Sequence, residues 1–251
     1  SPTLGGYLQK YFSWRATFLV LSAYTAIVWL ILYFKLPETN RNLNPTATRI
    51  KMMAQNYSLL IRNSLFMSYT LCTSFAYAGI LAYLTAAPFL LQQVVGLTPV
   101  QFGWLSFVVG GAIFTSAYIN SQMVMKKGIA NMVLLGICCM LSGSLLMLLF
   151  ASLGKINTVV IMLPIAIFCL GAGLCCANAQ AGALLHVAHI AGIASALYGC
   201  FQIITAALAS SIVAILHEVN QMPLALMLTT LSLLSSLFWI FGIYQQKHQD
   251  T

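Results

Sequence analysis

Long apolar tracts separated by short polar punctuation dominate the chain. No Asp, Glu, Lys or Arg occurs between Arg62 and Lys126, between Lys127 and Lys155, between Lys155 and Glu218, or between Glu218 and Lys247. A helix rises 1.5 Å per residue, so about 20 apolar residues cross a hydrocarbon core about 30 Å thick. The first and third tracts exceed one crossing. Turn residues divide them, "QQVVGLTPVQ" at 92–101 and "NAQAGALLHVAHIAG" at 178–192. The pattern predicts membrane helices at 14–34, 64–91, 101–125, 129–152, 157–180, 192–216 and 221–245, preceded by the tail of another in residues 1–8. Pro2, Pro37, Pro45, Pro99 and Pro223 fall near span ends, where a missing N–H costs little. Pro88 and Pro164 fall inside spans, where membrane helices tolerate kinks.

The one long polar segment, 35–63, has its own periodicity. Asn44-Pro45 has the form of an N-cap followed by Pro at the first helical position. Ile50, Met53, Tyr57, Leu60 and Ile61 then follow helical spacing, with Arg49, Lys51, Gln55, Asn56 and Arg62 mostly elsewhere on the wheel. This predicts an amphipathic helix on the cytoplasmic face, with a loosely ordered linker as the alternative. The expected organisation is 1–34, the end of one helix and a complete one; 35–63, a connecting loop; 64–245, six spans; and 246–251, a tail.

Composition agrees with a membrane protein. Hydrophobic residues make up 61% and charged residues 6%, against roughly a quarter charged in a soluble domain. The net charge of +8 is too thinly spread for a phosphate-tracking surface, so nucleic acid is not an expected partner. Lys and Arg read instead as topology signals. Lys35, Arg41, Arg49, Lys51, Arg62, Lys126, Lys127 and Lys247 fall on one side of the predicted membrane, and only Lys10, Arg15 and Lys155 on the other. That places the 35–63 loop and the C-terminus in the cytoplasm. The seven cysteines all lie in apolar stretches without zinc-ligand spacing and read as small hydrophobes.

No Asp, Glu, Lys, Arg or His sits near the middle of a span, so the chain shows no proton-relay carboxylate of its own. Uncharged polar stripes are present. Tyr69, Thr73 and Tyr77 are spaced i, i+4, i+8 in one span, with Thr70 on their side; Ser195, Tyr198, Gln202 and Thr205 form a stripe in another. They predict either a cavity lined by aromatic and hydrogen-bonding groups or polar contacts between helices. The substrate-cavity candidates are Tyr69, Thr73, Tyr77, Tyr198, Gln202 and Thr205. Asn120 with Gln122, and Asn178 with Gln180, close two further spans. Pairs of small residues, Gly192/Ala196, Ser195/Gly199 and Gly171/Cys175, together with Gly103, Gly110 and Gly111, predict close helix seams. No GxSxG, HExxH, Walker A or paired-carboxylate pattern occurs, and His186 and His189 lack an orienting acid. Neither an enzyme nor a cofactor is expected.

Several stretches resemble drug/proton antiporters of the major facilitator superfamily. "SPTLGGYL" is similar to the G-P-x-x-G-G motif ending their fifth helix, with Pro2, Gly5 and Gly6 matching and Ser1 in place of Gly. "WRATFLVLSAYTAIVWLILYFKLPET" resembles their sixth helix through Trp14-Arg15 and Leu36-Pro37-Glu38-Thr39. "FAYAGILAYLTAAPFLLQQVVGLTPVQFG" (75–103) and "AGIASALYGCFQ" (191–202) are similar to the seventh-to-eighth and eleventh helix regions of the Bcr/CflA drug-resistance group. "NSQMVMKKG" keeps that superfamily's basic pair and Gly without its Asp, and "CCANAQAGAL" lacks a Pro of the tenth helix.

The resemblance implies an all-α bundle of twelve helices in two six-helix halves, with substrate held between them near the midplane. The chain then corresponds to the end of helix five, helix six and the C-terminal half. The acidic residue that carries the coupling proton usually lies in the other half, so the chain is expected not to transport alone. The expected function is proton-coupled multidrug efflux by alternating access in a bacterial inner membrane, on small amphipathic or cationic compounds. An uptake permease of the same fold is the alternative. A seven-helix receptor fits less well, because the chain has no Asp/Glu-Arg-Tyr, Asn-Pro-x-x-Tyr or extracellular Cys pair.

Overall fold

The computed structural model describes residue 8 and residues 11–37, 50–185, 187–216 and 220–249. Pro2, Gly5 and Gly6, the Asn44-Pro45 cap, His186 and His217 lie outside the described residues. Among those described, six helices are long and apolar enough to cross a membrane. One of them, Pro99–Ser152, holds 54 residues, far beyond a single crossing. It is broken at Gly128 (φ 79°, ψ 164°), a conformation essentially reserved for glycine. The helices are therefore α1 (Trp14–Lys35), α2 (Ile50–Arg62), α3 (Ser64–Pro88), α4 (99–127), α5 (129–152), α6 (Thr158–Leu185), α7 (Ala191–Ile215) and α8 (Met222–Gln249).

Local chemistry sets most of these boundaries. Asn63 accepts from Phe66 N at 3.0 Å to start α3, and Asn157 accepts from Val160 N at 2.8 Å to start α6. Thr98 and Gln101 form a reciprocal capping box ahead of α4, with Pro99 in the first turn, where its missing N–H is harmless. After Pro88, α3 loosens into a π-helical turn, Phe89–Val94, because the proline removes one backbone donor. The span expected at 157–180 runs instead to Leu185. Its polar end does not unwind because Asn178 Nδ2 bonds Leu174 O within the helix, at 2.7 Å. The actual break is the short 3₁₀ turn Ala188–Ile190.

Contacts fix the helix directions. Asn120 bonds Asn178 while Ser116 faces Gly173, so α4 and α6 run parallel. Gly136 lies against Gly171 and Cys175, and Gly143 against Pro164 and Phe168, so α5 and α6 run antiparallel and the chain reverses at Gly128. Tyr69 opposes Gly182, and Tyr83 opposes Met162, setting α3 antiparallel to α6. Phe75 stacks on Phe238 at 5.7 Å while Gly242 meets Ser68, setting α3 antiparallel to α8. Helix α3 is the hub, packed on α6, α7 and α8. Residues 63, 128 and 187–190 therefore share one end of the bundle, and residues 95–98, 153–157 and 220–221 share the other. At the latter, Gln221 Nε2 donates to Lys155 O at 3.0 Å.

The α5–α6 seam sets backbone directly against backbone. A Cβ on Gly136 would lie 2.7 Å from Cys175 N and Gly171 O, and one on Gly143 would lie 2.7 Å from Phe168 N and Pro164 O. Lipid offers no hydrophobic drive for helix pairing, so such close backbone approach supplies the attraction. Of the expected small-residue seams, Gly171/Cys175 is used here. Gly110, Gly111, Gly192 and Gly199 meet nothing within 4 Å, so those expected seams are not contacts within this chain. Each lies on a helix face that no neighbour among the described residues reaches.

Two elements sit at the margin. Helix α1 buries none of its residues, although Phe18, Leu19, Tyr24 and Trp29 are large apolar groups. Helix α2 forms as the periodicity predicted and packs on α3 and α7 through the fully buried Leu60. Met53 and Tyr57 are half-buried, whereas Ile61, expected on the same face, is exposed. The reason is angular: Ile61 lies 100° around the helix from Leu60.

Candidate functional site

The two predicted polar stripes face each other across α3 and α7, which run parallel. On α3, the Tyr69 ring lies over Gly182 of α6, whose missing side chain leaves it room: a Cβ there would lie 3.0 Å from the ring. One turn on, Thr73 is fully buried, its hydroxyl donating to Tyr69 O at 2.8 Å. Its side chain neighbours the phenol of Tyr198 on α7. Gln202 Nε2 donates to Tyr198 Oη at 3.1 Å, an i, i+4 pair on the face of α7 turned toward α3. Thr205 Oγ1 lies 3.2 Å from Ser74 O on α3, a bond between the helices, and also reaches Phe201 O at 2.8 Å.

The structure thus brings Thr73, Tyr198, Gln202 and Thr205 together along the α3–α7 seam, whereas Tyr69, one turn before Thr73, packs on Gly182 of α6. Tyr77 continues the α3 stripe one turn further and is half-buried, and Ser195 at the start of the α7 stripe is exposed. Tyr69, Thr73 and Tyr198 are inside the bundle, while Gln202, Thr205 and Tyr77 are half-buried at its edge. The arrangement offers aromatic faces, hydroxyls and an amide, with no charge and no nucleophile–base pair. A separate, largely apolar cavity of about 220 Å³ lies at the other end of the bundle, between Thr85, Phe89 and Leu90 of the α3 region, Val213 of α7 and Pro223 and Leu224 of α8.

Two polar clusters were not anticipated as units. Cys72 of α3, Cys175 of α6 and Ser235 of α8 meet in the core, with Cys72 Sγ 3.6 Å from Cys175 Sγ and 3.3 Å from Ser235 Oγ. Ser235 Oγ also donates to Cys72 O at 2.9 Å, pinning α8 to α3. The cysteines are free thiols that do more than fill volume: this one joins three helices. Asn178 Nδ2 donates to Asn120 Oδ1 at 2.7 Å, tying α6 to α4. Both asparagines stood out as polar span ends, but their pairing, 58 residues apart, carries no signal along the chain.

Comparison with known proteins bears on what such a bundle belongs to. Residues 1–210 match the profile of the Major Facilitator Superfamily.

The chain belongs to the Major Facilitator Superfamily.

Within that superfamily it is similar to the Multidrug resistance protein D of Escherichia coli, 31% identical over 99% of this chain and 62% of the relative. It is 25% identical to the Bicyclomycin resistance protein homolog of Haemophilus influenzae, over 96% of this chain and 60% of the relative. A Multidrug transporter MdfA of Edwardsiella piscicida is 22% identical over 57% of this chain and 34% of the relative. The chain spans about three fifths of the length of the first two relatives. Recognition of the superfamily from the short motifs therefore holds, as does the all-helical membrane fold.

Proposed function

We propose that the chain is the C-terminal portion, from the end of helix five to helix twelve, of a proton-coupled multidrug exporter working by alternating access. The observation that carries this reading is the α3–α7 seam, where Thr73, Tyr198, Gln202 and Thr205 converge without a charged group, with Tyr69 beside it on the α6 side. A surface of rings and neutral hydrogen-bonding groups holds amphipathic or cationic molecules of varied shape through stacking, cation–π contact and adaptable polar bonds. The unburied α1 supports assigning residues 1–34 to an N-terminal half and 64–245 to the C-terminal half, with 35–63 between them and 246–251 as a tail. That half would also carry the coupling carboxylate absent from these spans. The Lys and Arg distribution supports a C-terminus in the cytoplasm, and the bacterial relatives support an inner-membrane location. The drug-resistance names of the relatives support export over uptake, and transport over catalysis.

The test is growth of cells expressing the full-length protein on a panel of dyes and antibiotics, beside uptake of labelled nutrients. Protection against several unrelated cationic compounds is the expected result. Nutrient accumulation without protection would establish the permease instead. The chain of 251 residues alone is expected to give no proton-driven flux in proteoliposomes.

A further inference from the structure

Helix α5 has two faces of different fate. Met132, Val133, Gly136, Ile137 and Met140 are buried. Asn131, Leu134, Leu135 and Cys138, spaced i, i+3, i+4, i+7, are exposed on the opposite side. At the head of this stripe, Lys126 and Lys127 stand exposed on the turn into α5. Together these six residues line one open groove of about 590 Å³. The turn is shaped rather than slack: Asn131 Nδ2 donates back to Lys127 O at 2.8 Å, and Gly128 takes a positive φ with nothing within 4 Å of where its Cβ would be. Among the described residues there is no Asp or Glu to pair with either lysine.

We propose that this groove is a binding site for one anionic phospholipid. Its chemistry is graded with depth as a lipid's is: two ammonium groups at the membrane surface, then an amide, then an apolar track. Its length agrees as well. Cys138 lies ten positions beyond Gly128, about 15 Å along α5, which is one leaflet of a core about 30 Å thick. The phosphate sits against Lys126 and Lys127 in the space left open above Gly128, and one acyl chain lies along Leu134, Leu135 and Cys138. Two lysines near the surface make the site selective for a net negative headgroup over a zwitterionic one. A detergent-exposed apolar stripe alone would take either.

The experiment is native mass spectrometry of the full-length protein in detergent, titrated separately with phosphatidylglycerol, phosphatidylcholine and glycerol 3-phosphate. Phosphatidylglycerol is expected to bind at one saturable site, with phosphatidylcholine weaker and glycerol 3-phosphate weaker still. The variant K126Q/K127Q is expected to lose about 30-fold in phosphatidylglycerol affinity and K126R/K127R to keep it. Leu135→Trp, which fills the track and leaves the charges, is expected to lower phosphatidylglycerol occupancy too. Equal binding of the two lipids, or full retention in K126Q/K127Q, overturns the proposal. So does an absence of lipid on the wild type, which would mean that another part of the protein covers the stripe. Glycerol 3-phosphate binding as tightly as the lipid would assign the lysines to a soluble phosphate instead.

Discussion

Glycine positions that look alike in the sequence separate sharply in the bundle. Gly143 lies against backbone atoms of Phe168 and Pro164, which cannot rotate aside, whereas Gly199 faces open space. Gly143→Val is expected to destabilise the protein by about 1–3 kcal/mol or prevent folding, and Gly199→Ala, mid-helix in open space, to keep or raise thermal stability by up to about 1 kcal/mol. Unfolding midpoints in detergent measure both. Thr205→Val removes the bond to Ser74 O while keeping the side chain's shape, and a loss of about 0.6–2 kcal/mol is expected. A larger loss would mean that the hydroxyl organises more than one helix pair. Spacing alone identified both Gly171/Cys175 and Gly192/Ala196 as seams, and only the first meets a partner in this chain. Small-xxx-small says that a close approach is possible; which helix makes it depends on contacts far apart in sequence.

Helix ends were the most legible elements, because turn signals are local. The turn residues at 92–101 with Pro99 mark the start of α4 to within two residues, while the caps that set it, Thr98 with Gln101, and Asn63 ahead of α3, emerge only in the structure. The end of α6 was misplaced because "NAQAGALL" is polar and small, and nothing local shows that Asn178 is satisfied by Leu174 O and Asn120. Likewise the α3 and α7 stripes were visible as periodicities, but that they face each other follows from helix directions set by the whole bundle. The reversal between α4 and α5 rests on one residue. Gly128→Ala would force φ 79°, ψ 164° on a residue with a Cβ, at a cost of about 1–3 kcal/mol. The expected outcome is lower folded yield and a lower unfolding midpoint, with the α5–α6 seam itself intact. An unchanged midpoint would show that the turn has another conformation available.

At the scale of the whole molecule, the chain is a hub-and-ring bundle with surfaces that it does not itself cover. Helix α1 is one; the faces of α4 and α7 carrying Gly110, Gly111, Gly192 and Gly199 are others. On the proposed reading such surfaces are contacts with a further helical half, in keeping with superfamily membership and with relatives about three fifths longer than this chain. Function then turns on whether the α3–α7 seam touches substrate or only joins helices. The direct measurement is proton-driven efflux of a lipophilic cationic dye from proteoliposomes holding the full-length protein, with Tyr77→Ala, Tyr198→Phe and Gln202→Ala compared with wild type over several dyes. The account predicts that each variant folds and reorders the preference among dyes, with KM shifted several-fold for some dyes and little for others. The same dye ranking and KM values in all three variants would contradict it, and would leave the seam as packing alone.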